Sequence, residues 1–441
     1  MAVRELEPAY PGSPPPIPAR PRDRTLVRCL GSLARCLEAL ARWLDRPLVP
    51  GLAALLGALG FALARWQRWS RGDIGSWILV GRTFTTPGRM WLAPGIGIRP
   101  GSGYDGQFYY RLALNPANLR HTAYGISLDA PYRLMRIGYP VLTWLASAGQ
   151  AALVPVMLVA VNVTALGTIG WLGGAFARQG GHHAAWGLLL PAYFGLLTSV
   201  SRDTAEPVAC ALLLAGLLAI RYRHSVLAGV LLAFGVLTRE TVIVAAGAVA
   251  AVRLVAICRR RQRIGRPDLA WLLPAAAFIT WEVVVRAVTG SFPLDADDDR
   301  NAGTPFIAAY DAVRNNLHNL SWTEFTWTDI WLLEFAVLIV VAAMALACLR
   351  RSRGPAHERV ALVGFLIEIL VVTPTTWNSL NADLRSFVEV YLLAVVVLLG
   401  MPGVRLTRHS LNRPVAWLLP VAAAWALPAL IVVGSRRIFW S

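Results

Sequence analysis

The chain contains no lysine: all 42 basic positions among its 441 residues are arginine. That bias is what GC-rich coding produces, so an arginine here is no sign that a guanidinium was needed in place of an ammonium. Charge is scarce too, at 15% of residues, where a soluble domain carries about a quarter. Only five cysteines occur (Cys29, Cys36, Cys210, Cys258, Cys348), and none falls in a loop that reads as external, which excludes a disulfide framework. Zinc spacing is missing as well: His182-His183 has no partners and there is no HExxH.

What is present is apolar sequence, 56% hydrophobic with a mean hydropathy of +0.52. It falls in long runs separated by short basic loops, the pattern of membrane-spanning helices. The net charge of +17 could point to nucleic acid, but most arginines flank apolar spans and read as topology signals, so no nucleic-acid partner is expected. Residues 1–24 include PGSPPPIPARPR, a disordered tail. Residues 25–46 place Leu26, Leu30, Leu33, Leu37, Leu40 and Leu44 near one helical face beside Arg28, Arg35, Arg42 and Arg46, as in a helix lying on an anionic membrane.

Spans are expected at about 48–64, 151–177, 184–200, 205–220, 225–240, 242–257, 269–288, 331–349, 359–374, 386–401 and 415–433, each near the ~20 residues a bilayer needs. With the N-terminus inside, the inner loops carry Arg178; Arg221 and Arg223; Arg259–Arg261, Arg263 and Arg266; Arg350, Arg351, Arg353 and Arg359; and Arg405, Arg408 and Arg413. The outer loop 290–330 instead carries Asp295, Asp297–Asp299, Asp311, Glu324 and Asp329 against Arg300 and Arg314. This satisfies the positive-inside rule for eleven spans, N-terminus in and C-terminus out. The chain then divides into a cytoplasmic tail and interfacial helix (1–46), a membrane core with a first outer loop at 65–150 (47–290), and an acidic loop with the last helices (291–441).

The loop 65–150 is external yet basic, with ten arginines from Arg65 to Arg136 against Asp73, Asp105 and Asp129. Long loops translocate regardless of charge, but the excess needs a reason. Either the arginines snorkel to lipid headgroups, or they form a site for a phosphate-bearing lipid. Within the loop, Gly103-Tyr104-Asp105-Gly106-Gln107-Phe108-Tyr109-Tyr110-Arg111 follows a Gly-rich approach (Gly95, Gly97, Gly101). No GK[ST] follows, so this is no nucleotide loop. Asp105 is either a loop cap or a carboxylate that an aromatic interfacial helix presents to the bilayer edge. Arg133 and Arg136, three apart, either anchor a surface helix or clamp a phosphate.

Three further outer corners carry charge. Ser201-Arg202-Asp203-Thr204-Ala205-Glu206-Pro207 is either a loop ion pair or part of a site. Leu237-Thr238-Arg239-Glu240-Thr241 interrupts an apolar stretch as a tight outer hairpin, and Asn378, Asn381, Asp383 and Arg385 precede the tenth span. The acidic run Asp295–Asp299 reads as a solvated loop, and Gly170-x-x-x-Gly174 as helix packing.

Taken together, YDGQFYYRLALNP, YRLMRIGYP, SRDTAEP and LTRET, with the late Asn381–Arg385 corner, resemble the GT-C superfamily of membrane glycosyltransferases. The likeness covers roughly residues 73–241 and that corner. It implies an all-α polytopic bundle of about eleven transmembrane helices, with interfacial helices in the first outer loop, in the bacterial plasma membrane. It further implies a polyprenyl-phosphate-sugar donor, an extracytoplasmic lipid or glycan acceptor, and Asp105 as general base of an inverting transfer. Substrate contacts follow at Tyr104, Gln107, Arg133, Arg136, Arg202, Asp203, Glu206, Arg239, Glu240 and Arg385. One Asp stands where some members carry an acidic pair, which implies a reaction without metal or other cofactor. The competing expectations are a transporter or flippase of an anionic lipid-linked substrate and a non-catalytic scaffold of envelope biosynthesis. The absence of an internal repeat counts against the transporter.

Overall fold

The computed structural model describes residues 32, 36, 38–68, 70–86, 96–261, 263–293, 304–320, 327–372, 376–377 and 384–402. The expectations placed on residues 1–31, Leu33, Arg35, Leu37, Arg89, Gly95, Asp295–Asp299, Arg300, Glu324, Asn378, Asn381, Asp383, Arg405, Arg408, Arg413 and the span at 415–433 lie outside the described residues. Residues 1–45 and 46–441 form two separate units. In the first, residues 38–44 are helical, within the stretch read as an interfacial helix.

The second unit is mostly helical. Its helices are α1 (Leu48–Arg68), α2 (Gly106–Leu114), α3 (Gly138–Ala146), α4 (Val154–Gln179), α5 (Phe194–Ser201), α6 (Glu206–Arg221), α7 (Ser225–Thr238), α8 (Ile243–Cys258), α9 (Leu269–Thr289), α10 (Ile307–His318), α11 (Trp327–Cys348), α12 (Ala356–Val371) and α13 (Val388–Leu399). Among the described residues, five stretches are long and apolar enough to cross a membrane: Leu48–Arg68, Ala151–Gln179, Glu240–Cys258, Arg266–Thr289 and Thr328–Cys348. Their exposed faces are rows of Leu, Ile, Val and Met, among them Leu52, Leu56, Leu63, Ile279, Val283, Ile339 and Met344. Such faces suit hydrocarbon as solvent, and the architecture is that of an all-α membrane protein.

Packing follows side-chain size. Small residues on α4 admit α1 at close range: a Cβ on Gly170 would lie 2.6 Å from the Pro50 carbonyl oxygen, and one on Gly174 would lie 2.7 Å from the Pro50 ring. This is the contact that the Gly-x-x-x-Gly spacing predicts. Apart from Glu389, α13 is apolar, and it is almost wholly buried, as a helix hydrophobic on nearly every face must be. It packs on α11 and α12 and touches α4 and α6.

Two expectations are corrected. The span at 184–200 is not one helix: a 3-10 segment Ala184–Leu189 precedes the eight-residue α5. The break holds Pro191, whose missing N–H cannot continue a helix. α7 and α8 also do not fold back on each other as a hairpin. α7 packs on α6 and α9, whereas α8 packs chiefly on α12, so the chain diverges at Arg239.

The described part of the 65–150 segment, expected as an outer loop, is built, not loose. Val80–Gly81 pairs in parallel with Ile98–Arg99, and Thr122–Ala123 pairs antiparallel with Ile126–Ser127. Phe108, Tyr109 and Tyr110 of α2 are buried in the protein core. This corrects the expectation that these aromatics seat the helix at the membrane interface. Four of the loop's arginines also turn inward. Arg65 lies over the Trp77 ring, Arg111 donates to the Arg120 carbonyl, and Arg133 and Arg136 meet carboxylates.

Candidate functional site

Asp105 occupies the N-cap position of α2 but makes no side-chain capping bond. Both its oxygens go elsewhere: Oδ1 lies 2.9 Å from Arg133 Nη1, and Oδ2 accepts from Arg385 Nη2 at 3.1 Å. A carboxylate at a helix N-terminus is favoured by the helix dipole, and here two guanidiniums add to it. Burial pushes the Asp105 carboxyl up, but Arg133 and Arg385 outweigh it and hold the group well below the usual carboxylate range.

The loop reaches this position because Gly106 has no side chain. A Cβ there would lie 2.6 Å from the Arg202 carbonyl oxygen and 3.0 Å from that of Ile78. Tyr104 is thereby brought under two guanidiniums, with Arg202 Cζ 4.6 Å and Arg385 Cζ 5.1 Å from its ring centroid. Arg385 reaches α5 by the same device: a Cβ on Gly195 would lie 2.6 Å from the Arg385 Cα. Its Nη1 donates to Glu206 Oε1 at 2.6 Å, and Glu206 also accepts from Ser199 Oγ at 3.1 Å.

Arg133 and Arg136 come together, though not on one helix. Arg133 is in a five-residue 3-10 segment, Pro131–Met135, and Arg136 lies just past its end. Arg133 Nε and Nη2 donate to the two Asp129 oxygens at 2.9 and 2.7 Å. Its Cζ sits 4.6 Å from the ring centroids of both Phe108 and Tyr132. Arg136 forks onto Glu240, with Nε to Oε2 at 2.9 Å and Nη2 to Oε1 at 2.5 Å. Arg239 lies deeper, donating from Nη1 to Glu389 Oε1 and Oε2 at 2.6 and 2.8 Å and from Nη2 to the Ser386 carbonyl at 2.9 Å. Thr241 Oγ1 completes that buried pair with a 2.8 Å bond to Glu389.

Of the residues expected at the site, Asp105, Tyr104, Arg133, Arg136, Glu206, Arg239, Glu240, Arg385 and, through the Tyr104 ring, Arg202 share this network. Gln107 and Asp203 do not. Gln107 is buried, accepts from the Gly81 N–H at 3.0 Å and donates to the Ser102 carbonyl at 2.8 Å, so it ties strand to loop. Asp203 is fully buried in a left-handed backbone conformation (φ 52°), and neither carboxylate oxygen has a hydrogen-bond partner. Burial pushes its carboxyl well up, with Arg65 opposing.

Further residues belong to the cluster without having been singled out as site residues, among them Asp129, which grips Arg133, Tyr109, which hydrogen-bonds Arg136, and Glu389, which holds Arg239. Glu389 carried a legible signal, as a lone carboxylate in the apolar run Val388–Leu399. Tyr109 carried none beyond its place in an aromatic run. Among the described residues no group of three or more His, Cys, Asp or Glu side chains is arranged to hold a metal ion.

The arrangement can hold an anion among fixed guanidiniums beside a partly exposed carboxylate. No family model, curated protein or solved structure matches this chain.

Proposed function

We propose that the chain is a membrane glycosyltransferase that moves a sugar from a polyprenyl-phosphate donor to an extracytoplasmic lipid or glycan acceptor. The observation that carries the reading is the convergence on Asp105 of Arg133 and Arg385, with Arg136 alongside, from sequence segments far apart. In the step proposed, the acceptor hydroxyl gives its proton to Asp105 as its oxygen bonds the anomeric carbon. The anomeric C–O bond to phosphate breaks, and its electron pair leaves with the polyprenyl phosphate. The leaving phosphate gains a negative charge, so fixed guanidiniums favour the transition state over the ground state. Direct attack inverts the anomeric centre. The bundle is proposed to have eleven spans, with the N-terminus cytoplasmic and the site outside, in a bacterial plasma membrane.

The test is a panel of labelled polyprenyl-phosphate sugars offered to purified protein with a host lipid extract as acceptor. Release of polyprenyl phosphate that vanishes in Asp105→Asn supports the reading. Normal turnover by that variant removes Asp105 as the base, and no turnover with any donor rejects the enzyme.

A second reading, transport of an anionic lipid-linked substrate, is favoured by Glu282 and Glu334, which are buried within the apolar helices α9 and α11. It requires proteoliposomes to flip a labelled lipid phosphate with its sugar–phosphate bond intact.

A further inference from the structure

Arg133, Arg136, Arg239 and Arg385 each already hold a carboxylate. An anion cannot join such a set without displacing one of the acids, and the acids differ in how readily they leave. The Glu206 and Glu389 side chains are 3% exposed and make 2.6 Å contacts. Displacing either would strand a charge away from water. Asp105 is 20% exposed, and its two contacts are longer, at 2.9 and 3.1 Å.

Asp129 and Glu240 are each 25% exposed, but each grips its arginine in a two-bond fork. Asp105 has only single bonds, one to each of two arginines. Arg133 is therefore held in place by Asp129 on its Nε–Nη2 edge and by the Phe108 and Tyr132 rings, while its Nη1 end is the part that can change partner.

We propose that a prenyl phosphate binds here by ion-pair exchange: its phosphoryl oxygens take the Arg133 Nη1 end from Asp105, so that the carboxylate is released only once the anion is in place. This rests on the reading of Asp105 as the base and adds a sequence to it. Pinned by two guanidiniums, Asp105 is a poor base; with Arg133 given over to phosphate, it becomes a better one. The donor thereby prepares the group that the acceptor needs, and without donor the carboxylate stays quiescent. Asp129 is a positioning residue in this scheme, since it fixes the guanidinium whose other end exchanges. Glu206 holds Arg385 in the same way from the buried side.

The experiment is isothermal titration calorimetry of the purified full-length protein with farnesyl phosphate, with inorganic phosphate and with farnesol. Exchange predicts that farnesyl phosphate binds, that farnesol does not, and that Asp105→Asn binds farnesyl phosphate roughly threefold to tenfold more tightly, since a partly exposed pair no longer competes. Inorganic phosphate binding as well as farnesyl phosphate would identify the free anion, not the lipid, as the occupant. Asp129→Asn removes the same charge from the same arginine and is expected to weaken binding. An equal gain in Asp129→Asn would mean that net charge alone is at work and would overturn the exchange.

Should either variant fail to fold, wild-type protein gives an independent readout. At about pH 5, below which a released carboxylate begins to protonate, binding of methyl farnesyl phosphate, a diester with no second ionisation of its own, takes up protons, seen as an enthalpy that depends on the buffer's ionisation heat. Binding with no proton uptake between about pH 4 and 5 would count against release of Asp105. Tighter binding in Asp105→Asn with no turnover of any donor by wild type would sink the glycosyltransferase reading but keep the exchange. Lost turnover with unchanged affinity would do the reverse.

Discussion

Asp105 and Arg385 are 280 positions apart in the chain, yet Arg385 Nη2 lies 3.1 Å from Asp105 Oδ2. The same guanidinium holds Glu206 at 2.6 Å, so one arginine ties the N-terminus of α2 to the N-terminus of α6.

Removing that tie should be costly. In Arg385→Gln, Glu206 is left buried without its counter-ion, a loss of about 3–5 kcal/mol when one partner of a buried pair is deleted. Glu206→Gln should also destabilise, and the double variant should be less damaged than the sum, with a coupling of about 1–3 kcal/mol. Unfolding midpoints of the three variants in detergent provide the check. Strict additivity would show that the pair contributes nothing as a pair.

Asp203→Asn should stabilise the protein at neutral pH. Its carboxyl has a folded pKa raised by burial, so the folded state binds a proton more tightly than the unfolded chain, whose value is about 3.9. Stability therefore falls as pH rises from about 3.9 toward the folded value, and Asn, the near-isostere of the protonated acid, removes that slope. The gain in melting temperature should be larger at pH 7.5 than at pH 4.5. Asp105 works in the opposite sense: with its folded pKa lowered, the stability it contributes is present above about 3.9 and lost as pH falls through the lower value. A destabilised Asp203→Asn would mean that the carboxylate is charged and partnered in the working protein.

Gly195→Ala should lower activity sharply without substituting a charged group. The new Cβ would lie 2.6 Å from the Arg385 Cα, a backbone atom that cannot swing aside. Overpacking of this kind costs about 1–3 kcal/mol, and relief by moving Arg385 separates it from Asp105. The variant should fold, melt a few degrees lower and lose turnover more than tenfold (~1.4 kcal/mol or more). Full activity would show that the Arg385 segment is not held in place by this contact.

Topology is directly measurable. In a cysteine-free background, Arg120→Cys in the first outer loop should react with a membrane-impermeant maleimide added to intact cells after the outer barrier is opened. Arg260→Cys, past the end of α8, should react only after lysis. Labelling of both from one side would refute the proposed orientation.

Much of the helical frame was legible in the sequence because membrane spans are a local property. Apolar run length and flanking arginines placed α1, α4, α8, α9 and α11, the helices long and apolar enough to cross a membrane among the described residues, within a few residues, since in hydrocarbon a segment must satisfy its own backbone hydrogen bonds. The run at 184–200 failed because periodicity does not register a single Pro191. The α7–α8 hairpin failed because a short turn does not say which neighbour each helix packs on. Within the site, Asp105, Arg133, Arg136, Glu206, Arg239 and Arg385 stood out as charges that an apolar chain must have a reason to keep.

Which charge pairs with which was decided by the tertiary structure alone. Nothing local distinguishes Gln107, which ties backbone to backbone, from Asp105 two residues earlier, or Asp203, buried and unpartnered, from Glu206 three residues later. Gly106 and Gly195 supply the close approaches that bring distant loops together, and ion pairing depends on distance in space, which the linear chain does not encode one residue at a time. The sequence by itself determined a membrane bundle with charge gathered in a few corners. Only the fold determined that Asp105 faces two arginines, because that relationship exists only once α2, the Arg133 segment and the start of α13 are packed against one another.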